Sequence, residues 1–259
     1  RKLQADLLAE HLQKAGAKVQ GGGESVITLW GETPRRDVEH TILPDRIETA
    51  TFLCAAAACG GEVTLTNTEP EHVGTVIQCL REAGCLIRIS GRTITLRAER
   101  PLSGMATVRT MPYPGFPTDM QAQICVCMAL ASGVSRLTES VYETRFFGYC
   151  SELESTGANI QISGKTATVV GVENLYGATV SAHDLRAGAA LVIAGLAAQG
   201  TTYVEHIHFI ERLLFLEFES AHLICTQFFK SIHFLLKNAG LPSPIRTASE
   251  QSISTIIPS

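Results

Sequence analysis

The chain repeats itself, and a repeat restricts the possible folds more than any single residue does. One pattern is a helix that ends on glycine, then a strand, a tight turn and a second strand. It begins as Leu12-Gln-Lys-Ala-Gly-Ala-Lys-Val19 and is fuller in Leu80-Arg-Glu-Ala-Gly-Cys-Leu-Ile-Arg-Ile-Ser-Gly-Arg-Thr-Ile-Thr-Leu96. It returns as Leu153-Glu-Ser-Thr-Gly-Ala-Asn-Ile-Gln-Ile-Ser-Gly-Lys-Thr-Ala-Thr-Val169. Ile87-Arg-Ile89 and Ile94-Thr-Leu96 alternate with the period of half-buried strands, and Ser-Gly supplies the hairpin turn.

A second pattern precedes the first: an Asp, an Ala-rich helix, a Gly and a β-rich strand. It runs Asp45 to Leu65, Asp119 to Leu137 and Asp184 to Val204. Incoming strands are expected at Ala106-Thr-Val-Arg-Thr110 and Ala178-Thr-Val-Ser181. Joined, these give a βαβαββ unit. Two copies are nearly complete (about 37–98 and 105–172), a third begins near 178, and residues 5–31 read as the second half of an earlier one. The small residues of the Ala-rich helices suit close packing, so the expectation is an α/β domain with buried helices and sheets outside.

The third copy departs from the pattern. From the Gly closing the Ala-rich helix to the next Leu-x-x-x-Gly helix is 19 residues (Gly61 to Leu80) and then 20 (Gly133 to Leu153), but 36 from Gly200 to Leu236. Leu241-Pro-Ser-Pro244 stands where a strand is due, and proline forbids a central strand. Residues 213–259 are therefore expected to be an aberrant or extended tail. Residue 1 is Arg and the chain opens inside an amphipathic helix, Ala5 to Gly16, as a segment of something longer does.

Composition bears on partners. Twenty-one basic and 25 acidic residues leave a net charge of −4, so no uniform basic field is present to hold nucleic acid. No run of 18 apolar residues occurs, so neither a membrane span nor a membrane partner is expected. The eight cysteines are irregularly spaced, and several lie in Ala-rich helices. They read as buried reduced thiols of a cytosol-type, cytoplasmic compartment. Cys125-Val-Cys127 is poor zinc geometry without a second pair, no other metal set appears, and no phosphate-binding glycine loop is present.

Chemistry is carried by arginines. Arg46 and Arg186 each open an Ala-rich helix, where the helix dipole favours anions; Arg145 and Arg212 follow acidic-aromatic stretches. Pairing with neighbouring acids is the plain reading of any one of them, and a shared anion site is the reading of the set. Asp119, in Tyr113-Pro-Gly-Phe-Pro-Thr-Asp-Met-Gln-Ala-Gln123, is placed with Thr118 to cap a helix or, near arginines, to act as a general base. His206-Ile-His208 reads as a period-two pair on a strand.

Leu43-Pro-Asp-Arg-Ile-Glu-Thr-Ala-Thr-Phe-Leu53, Phe116-Pro-Thr-Asp-Met-Gln-Ala-Gln123, Val141-Tyr-Glu-Thr-Arg-Phe146 and Asp184-Leu-Arg-Ala-Gly-Ala189 resemble the UDP-N-acetylglucosamine 1-carboxyvinyltransferases. The first two motifs favour that family over its relative EPSP synthase. The resemblance implies an inside-out α/β barrel of βαβαββ repeats, here incomplete. It implies transfer of the enolpyruvyl group of phosphoenolpyruvate to the 3′-hydroxyl of UDP-N-acetylglucosamine, the committed step of peptidoglycan synthesis, with phosphate released and no cofactor. Matched motif by motif, Asp119 is the proposed base and sugar contact, Thr118 and Val141 line the UDP-sugar site, and Arg145, Arg186 and Arg212 hold phosphoenolpyruvate. Arg212 is followed by Leu-Leu where the family has Gly-Tyr.

The same resemblance assigns residues 1–36 to the end of a first domain and 37–212 to a second. It places the catalytic cysteine loop and most UDP contacts upstream of residue 1, on a missing N-terminal domain that would be a partner. This segment alone is then expected to be inactive. The competing reading is a non-catalytic α/β repeat module that binds a nucleotide sugar or a partner.

Overall fold

The computed structural model describes residues 2–31, 37–142 and 144–210. Arg212 and the 213–259 tail lie outside the described residues.

The element order follows the repeat. Helix α1 (Lys2–Lys14) and strands β1 (Val19–Gln20) and β2 (Thr28–Leu29) form the opening half-unit. The next unit holds α2 (Arg46–Cys59), β3 (Gly61–Leu65), α3 (Gly74–Glu82), β4 (Leu86–Ser90) and β5 (Thr93–Ala98). A short β6 (Leu102–Ser103) leads to β7 (Val108–Arg109), α4 (Gln121–Ala129), β8 (Ala131–Ser132), β9 (Val134–Thr138), α5 (Cys150–Ser155), β10 (Asn159–Ser163) and β11 (Thr166–Val170). The third unit shows β12 (Thr179–Ser181), α6 (Leu185–Ala197) and β13 (Tyr203–Glu205).

Local chemistry sets these boundaries. Asp45 and Asp184 cap α2 and α6, each accepting two backbone N–H bonds of the first turn. Gly84 and Gly157 follow α3 and α5 at φ +93° and +95°, a left-handed turn that a Cβ would strain and that aims the chain into the next hairpin. The hairpins pair in matching register, Ile89 with Ile94 in one and Ile162 with Ala167 in the other.

The sheets are separate. β3, β5 and β4 form one antiparallel sheet in the order β3-β5-β4; β10-β11-β9-β7 form another, with β7 parallel to β9. Three two-stranded pairs complete the set, and no sheet closes on itself among the described residues. The α/β class of the expectation therefore holds, whereas a closed barrel is not formed by these strands. The helices α2, α4 and α6, one from each unit, pack against one another inside. Leu53, Cys54, Ala57, Ile124, Val126, Met128, Ala190 and Leu191 are buried at their contacts, with the sheet residues Leu65, Leu96, Leu137 and Val169 over them.

Three expectations are corrected. Residues 37–45 form no strand, so the 37–98 unit starts at its helix. The strand expected over 106–110 is only Val108–Arg109, paired with Leu137 and Thr138, because at Thr110 the pairing passes to a single bridge with Phe116. His206 and His208 do not share a strand. The chain leaves β13 at His206, whose φ of +56° is left-handed, and residues Ile207–Phe209 form a 3-10 turn. His206 Nδ1 lies 2.6 Å from Ser181 Oγ, a bond that holds the turn.

Candidate active site

A 3-10 turn, Thr118–Met120, enters α4, and a second, Arg145–Gly148, enters α5. Neither Thr118 nor Asp119 caps α4, whose first turn has no side-chain cap. The capping reading of Asp119 is thereby overturned: its carboxylate is aimed at arginines instead. Arg145 Nη2 donates to Asp119 Oδ1 at 3.4 Å, and Arg186 Nε stands 4.0 Å from the same oxygen. Arg186 arrives on the first turn of α6, beside the N–H groups that Asp184 caps.

The two guanidiniums thus converge on one carboxylate from different repeats. Asp119 adjoins neither arginine in sequence, so these are contacts across the fold and not pairings with a neighbouring acid. Both arginines are mostly withdrawn from solvent, with side chains 17% and 24% exposed, and Asp119 is 37% exposed. Arg145 also lies over the Tyr142 ring, 5.2 Å from its centroid. Its Nε is buried without a hydrogen-bond partner, so the guanidinium has donor capacity beyond Asp119. Arg46, at the start of α2, is not part of this pair of contacts.

Behind Asp119 lies a residue that the sequence did not mark. Glu139 is fully buried just past the end of β9. Its Oε1 accepts from Thr110 Oγ1 at 2.6 Å, Val141 N at 2.6 Å and Tyr142 N at 2.9 Å. Its Oε2 accepts from Thr118 Oγ1 at 2.8 Å and Gln121 Nε2 at 3.0 Å. Burial alone would push this carboxyl up, but the hydrogen bonds from Thr110, Tyr142, Val141 and Thr118 outweigh it and hold the group below its ordinary value. Val141 is tied in by its backbone N–H while the residue is 44% exposed.

The cysteines are elsewhere. Cys54, Cys85, Cys125, Cys127 and Cys150 are buried in the core and form no disulfide. Burial pushes Cys79 and Cys85 up to about 12, and Cys127 and Cys150 are raised as well, by bonds to neighbouring thiols and by burial. Among the described residues no group of three or more His, Cys, Asp or Glu could hold a metal ion. No helix there is long and apolar enough to cross a membrane.

The chain that carries this arrangement is similar to known proteins. The sequence profile of EPSP synthase (3-phosphoshikimate 1-carboxyvinyltransferase) matches residues 1–219.

The chain belongs to the EPSP synthase family.

Within that family its curated relatives carry the name that the motifs pointed to. It is 50% identical over 205 residues to UDP-N-acetylglucosamine 1-carboxyvinyltransferase 1 of Symbiobacterium thermophilum, covering 79% of this chain and 46% of the relative. It is 49% identical over 206 residues to UDP-N-acetylglucosamine 1-carboxyvinyltransferase of Halorhodospira halophila, covering 79% and 49%. The chain spans about half the length of the curated relatives it matches. Among solved structures, the enolpyruvyl transferase NikO of Streptomyces tendae aligns at a TM-score of 0.67 and 25% identity, over 82% of this chain and 51% of that one. EPSP synthase of Acinetobacter baumannii shares the fold at a TM-score of 0.50 and 18% identity, over 64% and 40%. These EPSP synthase family members are transferases by name, and the likeness covers the stretch that holds Asp119, Arg145 and Arg186.

Proposed function

We propose that this chain supplies one half of the active site of a UDP-N-acetylglucosamine enolpyruvyl transferase. The observation that carries the reading is the convergence of Arg145 and Arg186 on Asp119. Phosphoenolpyruvate carries a phosphate and a carboxylate, and two guanidiniums from different helix entries suit two anionic groups. Asp119, the carboxylate between them, takes the proton of the sugar 3′-hydroxyl as its oxygen bonds to C2 of the enolpyruvyl group. C3 takes up a proton as that bond forms and gives one up as the C2–O bond to phosphate breaks, which restores the double bond, and the arginines stabilise the charge on the departing phosphate. Thr118 and Val141 border this position and contact the UDP-sugar; Arg212 adds a further cation for phosphoenolpyruvate.

Residues 1–36 close a first domain, 37–212 form the second, and 213–259 are an aberrant or extended tail. In the assembled enzyme the separate sheets complete the inside-out barrel, and the reaction runs in the cytoplasm as a step of peptidoglycan synthesis. The chain by itself does not turn over: the cysteines raised by burial are poor candidates for a reacting thiol, and the other half-site comes from an N-terminal domain.

Phosphate release in the presence of phosphoenolpyruvate and UDP-N-acetylglucosamine tests this. The chain alone should give none, and adding the N-terminal half of the Symbiobacterium relative should restore it. Release by the chain alone would overturn the half-site assignment. A stable complex of the two halves that neither binds UDP-N-acetylglucosamine in calorimetry nor releases phosphate would overturn the enzyme assignment.

A further inference from the structure

Glu139 is an ionised side chain sealed in the core, and its five hydrogen bonds divide into two groups. The Oε2 bonds reach Thr118, on the turn that bears Asp119, and Gln121, the first residue of α4 behind it. Two of the Oε1 bonds reach the N–H groups of Val141 and Tyr142, at the start of the loop that leads to Arg145. That loop is closed by Arg145 N donating to Tyr142 O at 3.1 Å, and the Arg145 guanidinium rests on the Tyr142 ring. Thr110, anchored by its N–H to Thr138 O, donates its hydroxyl to Oε1 and accepts from Ser140 N at 2.8 Å.

We propose that Glu139 is a positioning residue: one buried carboxylate bridges the turn bearing Asp119 and the loop bearing Arg145, and so sets the spacing of that pair. The proposal deepens the enolpyruvyl transferase reading and rests on it for the meaning of the pair. Glu139 touches neither Asp119 nor Arg145, so its effect passes through Thr118, Gln121, Val141 and Tyr142. As the donors are set, each carboxylate oxygen satisfies one side, so both ends of the side chain are needed at once. An apolar replacement would leave five donors facing one another in a closed site, and they would move to find other partners.

The structure also indicates which substitution should be tolerated. Gln121 Oε1 is fully buried and has no partner. In Glu139→Gln the amide oxygen can keep the Oε1 bonds to Thr110, Val141 and Tyr142. The new NH2 then faces Thr118, whose hydroxyl can accept, and Gln121, whose amide can turn its unpartnered oxygen towards it. Glu139→Asp keeps the charge but is one methylene shorter and cannot span both turns.

The full chain with each of Glu139→Ala, Glu139→Asp and Glu139→Gln is compared with its parent in two measurements. Amide hydrogen exchange at Val141 and Tyr142 reads the loop without any ligand. Titration of UDP-N-acetylglucosamine in the presence of the N-terminal half of the Symbiobacterium relative reads the site, well below the unfolding temperature. Ala and Asp should speed exchange and weaken the sugar nucleotide by about tenfold or more, and Gln should return both to within about threefold of the parent. Should Ala not fold, Asp decides the matter, since it retains a buried carboxylate. A folded Asp variant with parent-like exchange and affinity overturns the proposal. So does a Gln variant as impaired as Asp, because the hydrogen-bond geometry that Gln keeps would then not be enough to hold the loop and the site. If the parent itself fails to bind UDP-N-acetylglucosamine, the functional reading falls, and the exchange rates alone still decide whether Glu139 holds the loop.

Discussion

Asp119 and Arg145 meet 26 positions apart in the chain, Oδ1 to Nη2 at 3.4 Å, each delivered by a one-turn 3-10 segment at the entry to a helix. A contact at this length and partial exposure adds little to stability, about 0–1 kcal/mol. Its value is in orientation. Asp119→Asn keeps the shape and removes the base, so turnover of the reassembled enzyme should fall by about 10²–10⁴-fold while the unfolding free energy changes by less than ~1 kcal/mol. Phosphate-release kinetics and urea unfolding measure the two; near-parent turnover would remove Asp119 from the mechanism.

Arg186 approaches Asp119 through Nε, at 4.0 Å. Lysine keeps the charge but not the planar fork, so Arg186→Lys should raise the half-saturating phosphoenolpyruvate concentration by about tenfold or more. The half-saturating sugar nucleotide concentration should move much less. Equal changes in both would place Arg186 in the frame of the site and not at the anion.

The pH dependence of stability follows from Glu139. Its folded-state value is below its unfolded one, so its contribution is present above the unfolded carboxylate range and is lost as pH falls through that range towards the folded value. Glu48 is shifted the other way, raised by burial and by Asp45, and its effect opposes this in the same region. Comparing the parent with Glu139→Gln cancels Glu48. The stability difference should shrink as pH falls below about 4. A difference that is flat with pH in chemical denaturation would contradict the depressed value.

Two glycines should answer oppositely to alanine. A Cβ on Gly171 would stand 1.5 Å from Ala131 O and 2.7 Å from Ala131 C, so backbone must move. Gly171→Ala should cost at least about 1–3 kcal/mol. Gly74 opens α3 in ordinary helical geometry (φ −53°, ψ −40°) with nothing within 4 Å of an added Cβ. Gly74→Ala should stabilise by about 0.4–1 kcal/mol. Urea midpoints of the two variants check the pair.

The core thiols should be slow to react. With Cys79 and Cys85 pushed up to about 12, alkylation at pH 7.5 followed by peptide mapping should leave both unmodified while the chain is folded. Rapid labelling of either would show that its burial is not maintained in solution.

The repeat was legible because its signals are local. Gly84 and Gly157 mark equivalent helix ends, and Ser90-Gly91 and Ser163-Gly164 mark equivalent turns within a few residues of the strands they join. Asp119, Arg145 and Arg186 were visible as motif residues, though only the fold brings them together. Asp119 was open to a capping role because an Asp before a helix normally caps it, and the opposing arginines are far away in sequence. Glu139 gave no such sign. Thr138-Glu139-Ser140 reads as an ordinary polar strand end, and its side-chain donors lie up to 29 positions away. An acid at a strand end with hydroxyls on the partner strand and on the following turn is the only hint, and it becomes meaningful only once β7 is set beside β9.

The placing of α2, α4 and α6 in mutual contact has a consequence for how the chain comes into being. During synthesis α2 emerges first, its alanine-rich surface having neither of its eventual neighbours, and α4 covers only part of it. Not until Ala197 has left the ribosome is the last of the three available, so the earlier units must wait, joined by long-range contacts that close slowly. A message cut short within α6 would therefore release two ordered hairpin sheets around an open, sticky centre, a natural target for chaperones and proteases.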